Sequence, residues 1–128
     1  MQRKNHLHAA FIALLALLVL SPLSLAGPSA VPTLAGILAE LNHYPSAAHK
    51  ETLAAISQDE ANSDATRTIA TAIHNIEHKA KPDDVAKLTK IQGDDKATAA
   101  EKQLAAIIME LSHSANAEAK KALKALSQ

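Results

Sequence analysis

The feature that most constrains this chain is that it repeats itself. Residues 41–56 (LNHYPSAAHKETLAAI), 76–91 (IEHKAKPDDVAKLTKI) and 111–126 (LSHSANAEAKKALKAL) follow one another at an ungapped interval of 35 residues. In that register Ala30/Ala65/Ala100, Ala35/Ala70/Ala105 and Leu53/Leu88/Leu123 are identical. Leu34/Ile69/Leu104, Leu38/Ile73/Ile108, Leu41/Ile76/Leu111 and Ile56/Ile91/Leu126 keep aliphatic character. A period of this length marks a supersecondary unit too small to bury its own apolar face, so copies must pack on one another. One polar residue also recurs in all copies, as His43, His78 and His113, while its polar neighbours change.

Each unit reads as two helices. Ile69, Ile73 and Ile76 are spaced by four and three, the period of a helix. Thr98 and Glu101 form a capping-box pattern at the start of the first helix of the third unit, and Ser63 takes the matching place in the second. The second helix starts after Ser46 or Asn116, both good N-caps, or at Pro82, which suits the first helical position. Gly93 marks an end. The expected fold is all-α: three tandem helical hairpins over about 28–62, 63–97 and 98–128, stacked as a short α-solenoid or a compact six-helix bundle. The unit length is similar to that of a tetratricopeptide repeat, but the aromatic signature positions of that family are missing, so the pattern supports a helical-hairpin array and no named family. Abundant alanine implies closely spaced helices and shallow cores. Burying a Leu or Ile contributes ~1.5–3 kcal/mol, and ordering each residue costs ~1–2 kcal/mol. Three such units are expected to be marginally stable, which favours self-association or a partner.

The N-terminus reads as an export signal. MQRKNHLH is basic, residues 9–26 are apolar, and Ser24-Leu25-Ala26 has the small-x-small pattern of a cleavage site. Cleavage is expected after Ala26, with Ala30 a second candidate, leaving one helical-repeat domain over 27–128 in the periplasm or medium and no membrane span; the alternative is an uncleaved segment retained as a membrane anchor. The whole chain carries 13 basic and 13 acidic residues. Arg3 and Lys4 leave with the signal, so the mature part has a net charge of −2. A chain without a basic block, and with Tyr44 as its one mature aromatic, offers little to nucleic acid. There is no cysteine to staple the exported fold.

Two explanations compete for the repeated histidines. On a helical wheel continued from Leu34, His43 falls opposite the core stripe, so core packing does not account for it. At the last turn of a helix an imidazolium gains ~0.3–1 kcal/mol from the dipole, and a ring nitrogen can bond a terminal carbonyl. The other explanation is metal. His74 precedes His78 by four residues, which on one helix places them a turn apart, and the matching residues of the third unit are Met109 and His113. His74, His78, Met109 and His113 are therefore the candidate ligands for zinc or copper. Packed helix axes stand ~8–10 Å apart, so in an open stack all three repeated histidines are not expected to share one ion. His49 is expected in solvent, and so are the acidic pairs Asp59-Glu60, Asp83-Asp84 and Asp94-Asp95. No nucleophile elbow, phosphate loop or H-E-x-x-H motif is present. The expectation is a non-catalytic exported binding module of the cell envelope, its partner another envelope protein or a second copy. The alternative is a periplasmic copper- or zinc-binding protein.

Overall fold

A computed structural model describes residues 29–128. The expected leader and the cleavage point after Ala26 lie outside the described residues. Ala30, the second candidate, is the N-cap of the first helix, and its carbonyl accepts the Leu34 N–H at 3.0 Å. The described residues form six helices and no strand: α1 Val31–Glu40, α2 Ala47–Gln58, α3 Asp64–His74, α4 Pro82–Gln92, α5 Ala99–Glu110 and α6 Ala117–Leu126. No helix among them is long and apolar enough to cross a membrane.

The predicted caps are in place. Ser46, Ser63 and Asn116 accept the backbone N–H three residues on. Thr98 and Glu101 make the full reciprocal capping box. Pro82 occupies the first position of α4, where the missing N–H costs nothing.

The positions that recur at the 35-residue interval are the core. Leu34, Ile69 and Leu104, Ala35, Ala70 and Ala105, and Leu38, Ile73 and Ile108 are wholly buried, and so are Leu53, Leu88 and Leu123. The first helix of each unit thus supplies most of the interior and the second contributes a central leucine, joined in α4 by Ile91. Accordingly α1, α3 and α5 pack on one another around a common axis, with α2, α4 and α6 outside them.

Pairing within the ring differs from a simple row of hairpins. Each outer helix packs most closely against the first helix of the following unit: α2 on α3, α4 on α5, and α6 back on α1. The cause is local. Between α2 and α3 the turn is tight, with Asp59 accepting the Ala61 N–H on its side chain and the Asn62 N–H on its carbonyl. Asp94 repeats both bonds, with Lys96 and Ala97, between α4 and α5. After α1, α3 and α5 the chain instead runs through a partly extended joint that carries the outer helix away. Contact of α6 with α1 closes the circle, so the first helices are mutual neighbours with no helix between them.

Candidate metal centre

Helix α1 ends at Leu41, whose backbone turns out of the helix (φ −61°, ψ 129°), and Leu111 does the same after α5 (φ −67°, ψ 129°). Asn75 ends α3, and the chain leaves through Ile76. Two residues beyond Leu41, Ile76 and Leu111 stand His43, His78 and His113, at φ 67°, 68° and 66°. They are the only positive-φ non-glycine residues among those described. Around His43 and His113 the chain closes an i+2 to i hydrogen bond, Tyr44 N–H to the Asn42 carbonyl and Ser114 N–H to the Ser112 carbonyl, each 2.8 Å. A γ-turn with a positive-φ centre is rare and strained. Glycine is the ordinary occupant of such a position; this chain places histidine there three times.

The three joints meet on the axis. The His43 N–H donates to the His113 carbonyl at 2.6 Å, His78 to His43 at 2.6 Å, and His113 to His78 at 2.5 Å, a closed cycle of backbone hydrogen bonds. The cycle fixes the imidazoles against one another. Their centroids are 5.1 Å apart in every pair, with interplanar angles of 87°, 87° and 64°, a three-bladed propeller. One ring nitrogen from each residue lies within 4.8 Å of one from each of the others. His43 is half-buried and the other two are exposed, so the cluster opens to solvent.

Two of the three rings meet a neighbouring side chain at Nδ1. Nδ1 of His43 lies 2.7 Å from Oδ1 of Asn42, and Nδ1 of His113 lies 3.1 Å from the Ser112 hydroxyl. With Nδ1 engaged in His43 and His113, Nε2 is the nitrogen those two rings leave for a ligand, an arrangement usual for metal-bound histidine. A zinc ion at ~2.0–2.1 Å from three nitrogens in tetrahedral geometry needs them ~3.4 Å apart. From separations of at most 4.8 Å, each nitrogen has to move inward by no more than about 0.8 Å, within the reach of a side-chain rotation.

The candidate group expected from helical spacing differs from the one the structure brings together. His78 and His113 belong to the convergent group, and His43, assigned only as a helix-end residue by sequence, completes it. His74 stays outside. It is the last residue of α3, so the chain has left the helix before His78 and the one-turn clamp does not form. Its Nδ1 faces Asn75 Oδ1 at 3.4 Å. The Met109 sulfur lies 3.6 Å from the Thr89 hydroxyl of α4, whose proton goes to the Val85 carbonyl at 2.8 Å. The helical-wheel position of His43 fails for the same reason as the clamp, because the wheel runs past the end of α1. The objection to one shared ion held for an open stack, and closure of α6 on α1 removes it.

Other polar residues are also more engaged than their sequence context suggested. His49 is half-buried and faces Glu40 at 3.5 Å across α1 and α2. Asp84 is buried and accepts the Asn75 side-chain amide at 3.0 Å, tying the end of α3 to the start of α4. In the third unit the equivalents are Glu110 and Ala119, with no such link, and a groove of about 440 Å³ opens there between α5 and α6. At the opposite end of the inner helices, Glu101 is buried and accepts bonds from Ser63, Thr66 and the Thr98 N–H. Burial pushes its carboxyl up, but the bonds from Ser63, the Thr98 backbone and Thr66 outweigh it and leave the group below its ordinary value.

No family model matches the sequence, and no curated protein or solved structure shows a significant match to it.

Proposed function

We propose that this is an exported zinc-binding protein that holds one ion between His43, His78 and His113. The observation that carries the reading is the convergence of three imidazoles from three equivalent, strained joints. Strain of this kind persists where surrounding structure enforces it and is concentrated at functional sites. Helix-end capping does not account for the cluster, since it needs each histidine beside its own helix and not three on one axis.

The donor set favours zinc. A three-fold array of nitrogens suits the tetrahedral preference of Zn²⁺ and not the tetragonal one of Cu²⁺. The convergent donors are three nitrogens and no sulfur, which supports zinc over Cu⁺. Export rests on the basic start and apolar run of residues 1–26, which would place the site where metal is exchanged with the surroundings.

The test is calorimetric titration of the purified, metal-stripped protein with Zn²⁺ and Cu²⁺. One zinc per chain is expected, lost on His43→Ala, His78→Ala or His113→Ala and kept in His74→Ala and Met109→Ala. A ligand at ~100 times its dissociation constant should add ~2.7 kcal/mol to stability. Absence of saturable zinc binding would return the reading to partner recognition.

A further inference from the structure

The three units treat the gap between their own two helices differently. In the first, the His49 imidazole on α2 faces the Glu40 carboxylate at the end of α1 at 3.5 Å. In the second, the equivalent residues Asn75 and Asp84 are hydrogen-bonded at 3.0 Å. In the third they are Glu110 and Ala119, and a methyl group offers a carboxylate nothing. Three residues on, on the same helix face, Thr52 and Lys87 are likewise matched by Ala122. The third unit therefore keeps the acid of the first and cuts its basic partner back to alanine.

Glu110, Ala119 and Ala122 all line the groove of about 440 Å³ between α5 and α6, a volume in the ~300–1,000 Å³ range of small-molecule sites. Ile107 and Leu111 add to its aliphatic wall, and Glu118, in the first turn of α6, adds a second carboxylate. No basic or aromatic residue lines it. Among the described residues neither carboxylate makes an ion pair. Ile107 is only partly covered, whereas its equivalent in the first unit, Ile37, is buried.

We infer that this groove binds a short aliphatic diammonium ion. One ammonium sits on Glu110, as His49 does on Glu40, and the other on Glu118, with the methylene chain along Ile107 and Ala122. The inference is independent of the zinc reading. Two carboxylates without a base call for two positive charges, since a monocation leaves one of them uncompensated. Covering the aliphatic wall with methylenes removes apolar surface from water. A quaternary or aryl cation would find no aromatic face to stack on.

The experiment is an NMR titration of the purified, metal-stripped protein with the five-carbon diamine cadaverine at low ionic strength, with pentylamine as the singly charged reference. Stripping the metal keeps the amine from acting as a zinc ligand. Saturable amide shifts centred on Ala119 and Ala122 are expected, and salt should weaken them. Loss of one exposed ion pair, in pentylamine or in Glu110→Gln, should weaken binding about fivefold. Ala119→His rebuilds the first unit's pair inside the groove and should abolish binding, with Tm at or above that of the parent. No saturable shift in the parent, or shifts confined to other helices, overturns the inference. Pentylamine bound as tightly as cadaverine overturns the diammonium assignment. Binding that is unchanged in both Glu110→Gln and Ala119→His removes the groove as the site.

Discussion

Replacing His43, His78 and His113 together by glycine separates what the backbone needs from what the side chains do. An L-residue in the left-handed region costs about 1–2 kcal/mol relative to its ordinary conformations. Glycine removes that cost but gains freedom in the unfolded chain, which offsets about 0.4–1 kcal/mol. The net effect is between roughly zero and 1.6 kcal/mol of stabilisation per site. The backbone cycle uses only N–H and C=O groups, so it survives the change. For a domain of this size about 1 kcal/mol moves Tm by roughly 4–8 °C. In chelator the triple-glycine variant should therefore melt at or above the parent temperature, while zinc no longer raises it. The triple-alanine variant keeps the positive-φ cost and should melt below the glycine one. Thermal unfolding followed by circular dichroism, with and without zinc, decides the matter. If the glycine variant melts well below the parent in chelator, the imidazoles hold the fold by their own packing, and their recurrence requires no metal.

Asn42→Ala and Ser112→Ala remove the groups behind Nδ1 and should weaken zinc affinity about 10–100-fold by calorimetry without unfolding the protein. The Glu101 carboxyl is held below the unfolded value of ~4.3, so its contribution is complete above that value and disappears as pH falls through the folded one. Glu101→Gln should therefore lower Tm near pH 7 and flatten its fall between pH 5 and pH 3; an equally steep fall in the variant would place the acid sensitivity elsewhere. Leu123→Ala, at the wholly buried centre of α6, should cost about 2–5 kcal/mol in denaturant unfolding.

The repeated aliphatics reported the fold because burial acts on every unit alike: Leu34, Ile69 and Leu104 read as core and are core. Caps were equally legible, since Ser63, Thr98 and Asn116 act through bonds three residues away. The helix ends were not. No glycine marks the joint, so the helical pattern was carried past Leu41, and every angular placement of His43 failed with it. Nor could periodicity show that α6 returns to α1, because a ring and an open row share the same one-dimensional pattern. The signal that did point to the site was the identity of one polar residue at 35-residue spacing. Only closure turns that identity into a position in space.

The two ends of the inner helices put different demands on a repeated sequence. At one end the equivalent residues are Val31, Thr66 and Glu101, and at the other His43, His78 and His113. The first set has diverged into unlike groups, of which Thr66 donates and Glu101 accepts. A network satisfied within the protein needs such complementarity, since three carboxylates there would repel and three hydroxyls would leave no strong acceptor. An ion on the axis needs the reverse: three equal donors aimed at one point, with bonds still wanting a partner. Three imidazoles held edge to face, each on a backbone that would relax with glycine, make no complementary network of their own. Their identity is what a shared external ligand requires. Because each comes from a different unit, such a ligand binds only when the circle is closed, and its binding free energy stabilises the contact of α6 with α1 directly.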